Sequence, residues 1–244
     1  MHGITANAHV FEPLMERLAD RFRVVSVDQR GHGRSGKPEH GYRGEDYADD
    51  LLPFLKEKAL LIGHSLGARN ALVAGVRYPD RVAAVVAIEF TPFIETQVFD
   101  ELDARVAGGD LAFSSRDEIE AYLAGRYRKL PLDAVQRRAT HGYEKQNGKW
   151  RALAAPHAMI ETCAGLREDL SAALNAIRVS TLLIRGKQSR LVSQGAWAKT
   201  RALRPDLRAL EIDGADHYVP EEQPAAVAAA VGEFWQSLQE RRIQ

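Results

Sequence analysis

The run Gly63-His64-Ser65-Leu66-Gly67 has the residue types that a nucleophilic serine needs. The apolar run ALLIG precedes it, and a stretch rich in small residues (Ala68, Ala71, Ala74, Gly75) follows, so Ser65 falls at a sharp strand-to-helix turn. Such a turn strains its central residue and demands small neighbours. In return it lifts the serine Oγ clear of the sheet, where the helix N-terminus favours developing negative charge. His217, in Gly214-Ala215-Asp216-His217, follows the last apolar run, late in the chain where a general base would stand. At the front, His2-Gly3-Ile4 takes the place of an oxyanion loop, the backbone N–H of Ile4 joining that of Leu66. The chemistry this set supports is acyl transfer through an activated serine.

These residues require elements to hold them. Short apolar runs alternate with helical patterns, which predicts βαβ units and a mostly parallel sheet, hence an α/β fold with helices flanking a central sheet. Strands are expected at Arg23–Asp28, Ala59–Gly63, Val82–Ile88, Val179–Ile184 and Leu207–Ile212; the first four have the unbroken Val, Ile and Leu of strands buried on both faces. Phe11, Leu14, Met15 and Leu18 recur at helical spacing, as do Tyr47, Leu51, Phe54 and Leu55. A third helix runs from just after Ser65 to Tyr78, where Pro79 stops it, and a last one starts near Pro224 and buries Val227, Val231, Phe234 and Leu238. Residues 95–174 break the rhythm, with more charge, several aromatics and no good strand. They read as a helical lid inserted into a core made of residues 1–94 and 175–244.

Composition narrows the function classes. The 244 residues carry 33 basic and 33 acidic side chains, so no net charge draws the chain to nucleic acid or an anionic membrane. The longest apolar stretch, Val82 to Ile88, is far short of a membrane span. One cysteine, Cys163, excludes an intramolecular disulfide and cysteine-rich metal sites. The first residues do not read as a secretory signal, and the expectation is a cytoplasmic protein with a small-molecule partner. The sequence is silent on oligomeric state.

Taken together, HGITAN, DQRGHGRSGKP, GHSLGA, LLIRG and GADHYVPEEQP resemble, in order, segments of the α/β-hydrolase family: oxyanion loop, loop after the following strand, nucleophile elbow, penultimate strand and histidine loop. The resemblance extends over nearly the whole chain. It implies a serine hydrolase cleaving an ester or related acyl bond through an acyl-enzyme, with Ser65 as nucleophile, His217 as base and then acid, and no metal or organic cofactor. Two alternatives stand beside it: a C–C bond hydrolase acting on a vinylogous diketone with the same triad, and an inactive relative kept as a binding protein. His64 is expected to point away from the site and His2 to order the oxyanion loop. His9, His32, His40, His141 and His157 read as loop or lid histidines, Asp28 and Arg30 as structural, and Trp150 as a pocket wall or lid packing.

The triad's acid is not where the family most often puts it. The loop after the penultimate strand, Gly186 to Val192, has no carboxylate; Ser189 or Arg190 stands in its place. Asp216 adjoins His217 too closely for productive geometry, and Asp213 faces the same objection more mildly. Glu89, directly after the run VAAVVAI, is preferred. It resembles the glutamate that haloalkane dehalogenases place after this strand, although those enzymes carry an aspartate nucleophile where Ser65 stands here. The alternative has Glu89 capping the lid hinge near Thr91 and Pro92. The resemblance also implies a central strand before the oxyanion loop and two more ahead of it. With His2 second in the chain, all three are expected to be missing, and the native protein is expected to be longer.

Overall fold

The structure is a computed structural model that describes residues 1–107 and 110–243. Its centre is a parallel sheet of four strands, β1 (Ala59–His64), β2 (Val82–Ile88), β6 (Ser180–Gly186) and β7 (Arg208–Ile212), in the order β1-β2-β6-β7. The central strands are apolar on both faces because both are covered. Along β2, Val85 and Ala87 pack with Leu72, Leu183 and Trp197 on one side, while Val86 and Ile88 pack with Leu14, Ile184 and Val231 on the other. The first side is closed by α2 (Gly44–Asp49), α3 (Leu66–Arg77), α8 (Ser171–Ala176) and α9 (Gln194–Leu203). The second is closed by α1 (Glu12–Leu18) and α11 (Pro224–Ile243), with the short α10 (Val219–Glu222) leading into α11.

Arg23–Asp28 departs from expectation. It forms no strand, because a strand needs a ladder partner and none of the described strands lies beside it. Val25 is left 56% exposed. The segment is tied instead through Ser26 Oγ, which donates to Ala8 O, and Asp28, whose carboxylate accepts from the backbone of Ala8 and Arg34. The outer edge of β1 is engaged at Met1, whose amine donates to Ile62 O and whose carbonyl accepts from His64 N.

Between β2 and β6 lie α4 (Thr96–Ala107), β3 (Ala112–Phe113), α5 (Arg116–Arg126), α6 (Leu132–His141), β4 (Tyr143–Gln146), β5 (Lys149–Ala152) and α7 (Pro156–Leu166). The expectation of no strand here is corrected: β3, β5 and β4 make a small antiparallel sheet. Its turn is Asn147-Gly148, both at positive φ (50° and 80°), the conformation that an Asn-Gly hairpin turn requires. The charge of the surrounding sequence masks this signal. Trp150 on β5 lies beneath the Arg116 guanidinium and packs with Ile119 and Val135; it does not line the cleft beside Ser65.

Candidate active site

The parallel register aligns the C-terminal ends of the strands, the edge at which open α/β sheets place their ligand sites. His64 pairs with Ile88 and Ile88 with Ile184, so the residues that follow β1 and β2 are neighbours. Ser65 sits at φ 54°, ψ −114°, a conformation costing about 1–3 kcal/mol and held here by its N–H donating to Ile88 O at 2.9 Å. The flanking glycines are sterically required. A Cβ on Gly63 would stand 2.1 Å from Gly67 O, and one on Gly67 would stand 2.3 Å from Met1 O.

Glu89 also adopts positive φ, 58°, and its N–H extends the ladder to Ile184 O. The side chain is buried and fully engaged. Oε1 accepts from Gly186 N at 2.6 Å, while Oε2 accepts from Ser189 Oγ at 2.6 Å and faces His217 Nδ1 at 2.9 Å. Burial pushes the Glu89 carboxyl up to about 8, against the Ser189 hydroxyl and the Gly186 N–H, which favour the charged form. Burial, then the Arg105 charge, lowers His217 to about 3 and keeps the imidazole neutral. A neutral ring with Nδ1–H toward Glu89 leaves Nε2 free to accept a proton. Asp213 and Asp216 are directed to lysines, Asp213 to Lys187 at 2.7 Å and Asp216 to Lys129 at 3.3 Å.

Ile4 and Leu66 line the same cleft as Ser65, and neither amide is used in a hydrogen bond among the described residues. His2 fixes the loop before Ile4. It is fully buried, its Nδ1–H donates to Gly3 O, and its Nε2 accepts from Gln29 N. Gln29 returns a bond to His2 O and takes one from Asn70. His64 differs from expectation in direction: its ring faces the cleft, and Nε2 meets His217 O at 2.6 Å, pinning the histidine loop.

The cleft opens partly to solvent and has apolar walls from Ile94, Val98, Leu102 and Leu191. Four arginines reach it. Arg69 is spent on the carbonyls of Thr91, Pro92 and Glu168, and Arg138 on the buried carboxylate of Glu221. Arg105 donates to Tyr218 Oη and Arg126 to Tyr122 Oη, and neither has a carboxylate partner among the described residues. Burial would raise the Tyr127 phenol, yet Arg138, Arg126 and Arg105 around it turn the shift downward, a mark of strong positive potential. A second cavity shares Thr5, Arg105, Arg126 and Arg138 with the first.

The structure therefore gathers Ser65, His217, Glu89, Ile4 and Leu66 around one cleft. Sequence reading missed Ser189 as a partner of Glu89, and it missed Arg105, Arg126, Tyr127 and Tyr218. The arginines come from separate helices in the inserted stretch, where charge reads as solvated surface; no spacing rule links them.

A strained serine at a strand end, a histidine loop three strands along the sheet and helices on both sheet faces define an α/β-hydrolase, and the chain belongs to that family, matching the α/β-hydrolase fold over residues 1–224. Within it, the chain is 51% identical over 237 residues to 2-(acetamidomethylene)succinate hydrolase of Mesorhizobium japonicum, covering 96% of this chain and 85% of that one. The crystal structure of E-2-(acetamidomethylene)succinate hydrolase matches with a TM-score of 0.94 at 50% identity, over 96% of this chain and 89% of the other. Pimeloyl-(acyl-carrier protein) methyl ester esterase of Stenotrophomonas maltophilia is 30% identical over 264 residues, covering 98% of this chain and 92% of the relative. The chain is a hydrolase enzyme of this fold.

Proposed function

We propose that the enzyme hydrolyses a small acyl compound bearing two carboxylates, with the acyl group on a conjugated leaving group. The observation that carries this reading is the cleft that joins Ser65 and His217 to Arg105 and Arg126, two guanidiniums without a carboxylate partner among the described residues. A guanidinium reads a carboxylate through paired N–H donors. The named substrate of the 51% identical relative fits such a cleft, since a 2-(acetamidomethylene)succinate has an acetyl group on nitrogen, a conjugated double bond and two carboxylates. It is not an ester. It shares with a vinylogous diketone a leaving group stabilised by conjugation, so of the readings drawn from sequence, the alternative stands nearer to the 51% identical relative than a plain esterase does.

In this mechanism Ser65 Oγ attacks the acyl carbonyl as its proton passes to His217 Nε2, and Glu89 holds Nδ1–H and balances the imidazolium. The amides of Ile4 and Leu66 receive the oxyanion. Collapse breaks the bond to the leaving group, which takes the proton from His217. Water then adds to the acyl-serine with His217 as base, releasing the carboxylic acid and restoring the hydroxyl.

The test compares 2-(acetamidomethylene)succinate, a p-nitrophenyl acetate and a ring-fission diketone on wild type, Ser65→Ala, Arg105→Met and Arg126→Met. The diacid should be the best substrate. Each arginine variant should raise its KM by about tenfold to a hundredfold, the value of a charged hydrogen bond, with little change on the neutral ester. Ester turnover without diacid turnover restores the esterase reading. If a fluorophosphonate fails to label Ser65 in folded protein, the acyl-enzyme mechanism is wrong.

A further inference from the structure

Two imidazoles and a carboxylate converge where the turn Ala8–Phe11 meets the end of α6, and none of the three lines either cavity. His9 and His141 stack with ring centroids 3.7 Å apart and planes 10° from parallel. Glu12 Oε1 is 2.5 Å from His9 Nδ1, and Arg137 Nε lies 3.5 Å from Oε2 of the same carboxylate. One donor atom from each of His9, Glu12 and His141 lies within 4.8 Å of the other two, and all three residues are half-buried, open to ions from solvent.

We propose that His9, Glu12 and His141 bind a divalent transition cation of the zinc class, clipping helix α6 to the start of α1. Two imidazoles with one carboxylate select zinc, cobalt, nickel or copper over magnesium and calcium, which prefer all-oxygen sites. Zinc bonds of about 2.0–2.2 Å in a tetrahedron set ligand atoms about 3.3 Å apart, so the present spacing has to close by no more than about 1.5 Å. Parallel rings cannot both aim at one ion, so binding turns His141 out of the stack by side-chain rotation. Three protein ligands then leave a fourth position for water.

The surroundings work in both directions. His141 is half-buried against the His9 ring, so its nitrogens lie within reach of the other two donor residues. His141 is also the last residue of α6, where the helix dipole favours a cation. Arg137, beside Glu12, and Arg116, whose charge reaches His141, oppose the ion. The clip bears on the substrate cavities because Arg138 stands one turn before His141, while Asn7 and Gly142 line the second cavity.

Tag-free protein titrated with zinc chloride in a calorimeter, and with cobalt chloride by absorption, tests the site. One ion per chain should bind, and a hundredfold excess over Kd should raise Tm by about 5 °C, whereas magnesium should do neither. His9→Ala and His141→Ala should each abolish the high-affinity event while keeping the wild-type circular dichroism spectrum. Because they lie on different elements, failure of one variant to fold leaves the other decisive. No zinc binding to the wild type, or binding unchanged in a folded variant, overturns the proposal.

Discussion

Glu89 Oε2 and His217 Nδ1 lie 2.9 Å apart across 128 residues of chain, and the same carboxylate oxygen accepts the hydroxyl of Ser189. The carboxylate reaches the imidazole from the end of β2, between the strand that leads to Ser65 and the strand that leads to Ser189. Both carboxylate oxygens are satisfied, so the group is fixed in direction before any substrate arrives.

Glu89→Gln keeps the shape but puts a neutral amide against Nδ1. It should lower kcat by about a thousandfold to ten-thousandfold, with KM little changed, as loss of the orienting acid does in other triads. Steady-state kinetics on folded variant protein checks this; near-wild-type turnover would move the acid to Asp213 or elsewhere.

The pH dependence follows from the raised Glu89 carboxyl. A pKa pushed up to about 8 means that acid protonates the group and removes the charge needed by the imidazolium, so activity is lost as pH falls through that value. The rising limb of kcat/KM should therefore centre toward about 8, far above the ordinary carboxylate range of about 4. A limb centred near the ordinary value in a pH–rate profile would contradict it.

Ser189 donates to Glu89 and accepts from Val192 N at 3.2 Å, both in buried surroundings. Ser189→Ala leaves both groups short of a partner and should cost about 1–3 kcal/mol each way, enough to lower the urea midpoint clearly. An unchanged midpoint would show that water replaces the hydroxyl.

The buried pair of Arg138 and Glu221 joins α6 to the helix that follows His217, with side chains only 7% and 2% exposed. Glu221→Gln strips the carboxylate from a buried guanidinium and should destabilise the fold by about 3–5 kcal/mol. Denaturant unfolding measures it, and a loss below about 1 kcal/mol would mean that the pair is solvated in solution.

Local rules carried much of this protein. The run of apolar residues ending at Gly63, the small residues on both sides of Ser65 and the periodicity of Val227, Val231 and Phe234 follow from strand burial, turn sterics and helix period, all readable over a few residues. Val82–Ile88 forms the strand expected of it, and Pro224 opens the last helix. The Asn147-Gly148 hairpin turn is equally local, its signal lying in two adjacent residues.

What neighbours decide lay beyond such rules. Arg23–Asp28 has strand composition and no strand, because a ladder is made by two segments and composition describes one. Ser189 became a partner of Glu89, and Arg105 and Arg126 became walls of the serine's cleft, only once parallel register and helix packing set distant residues side by side. The sequence alone determined the serine proposed as nucleophile, its turn and the hydrolase family that they resemble. Tertiary structure decided which charges face that serine, since charge in a helical segment reads the same whether it points to water or into a cleft.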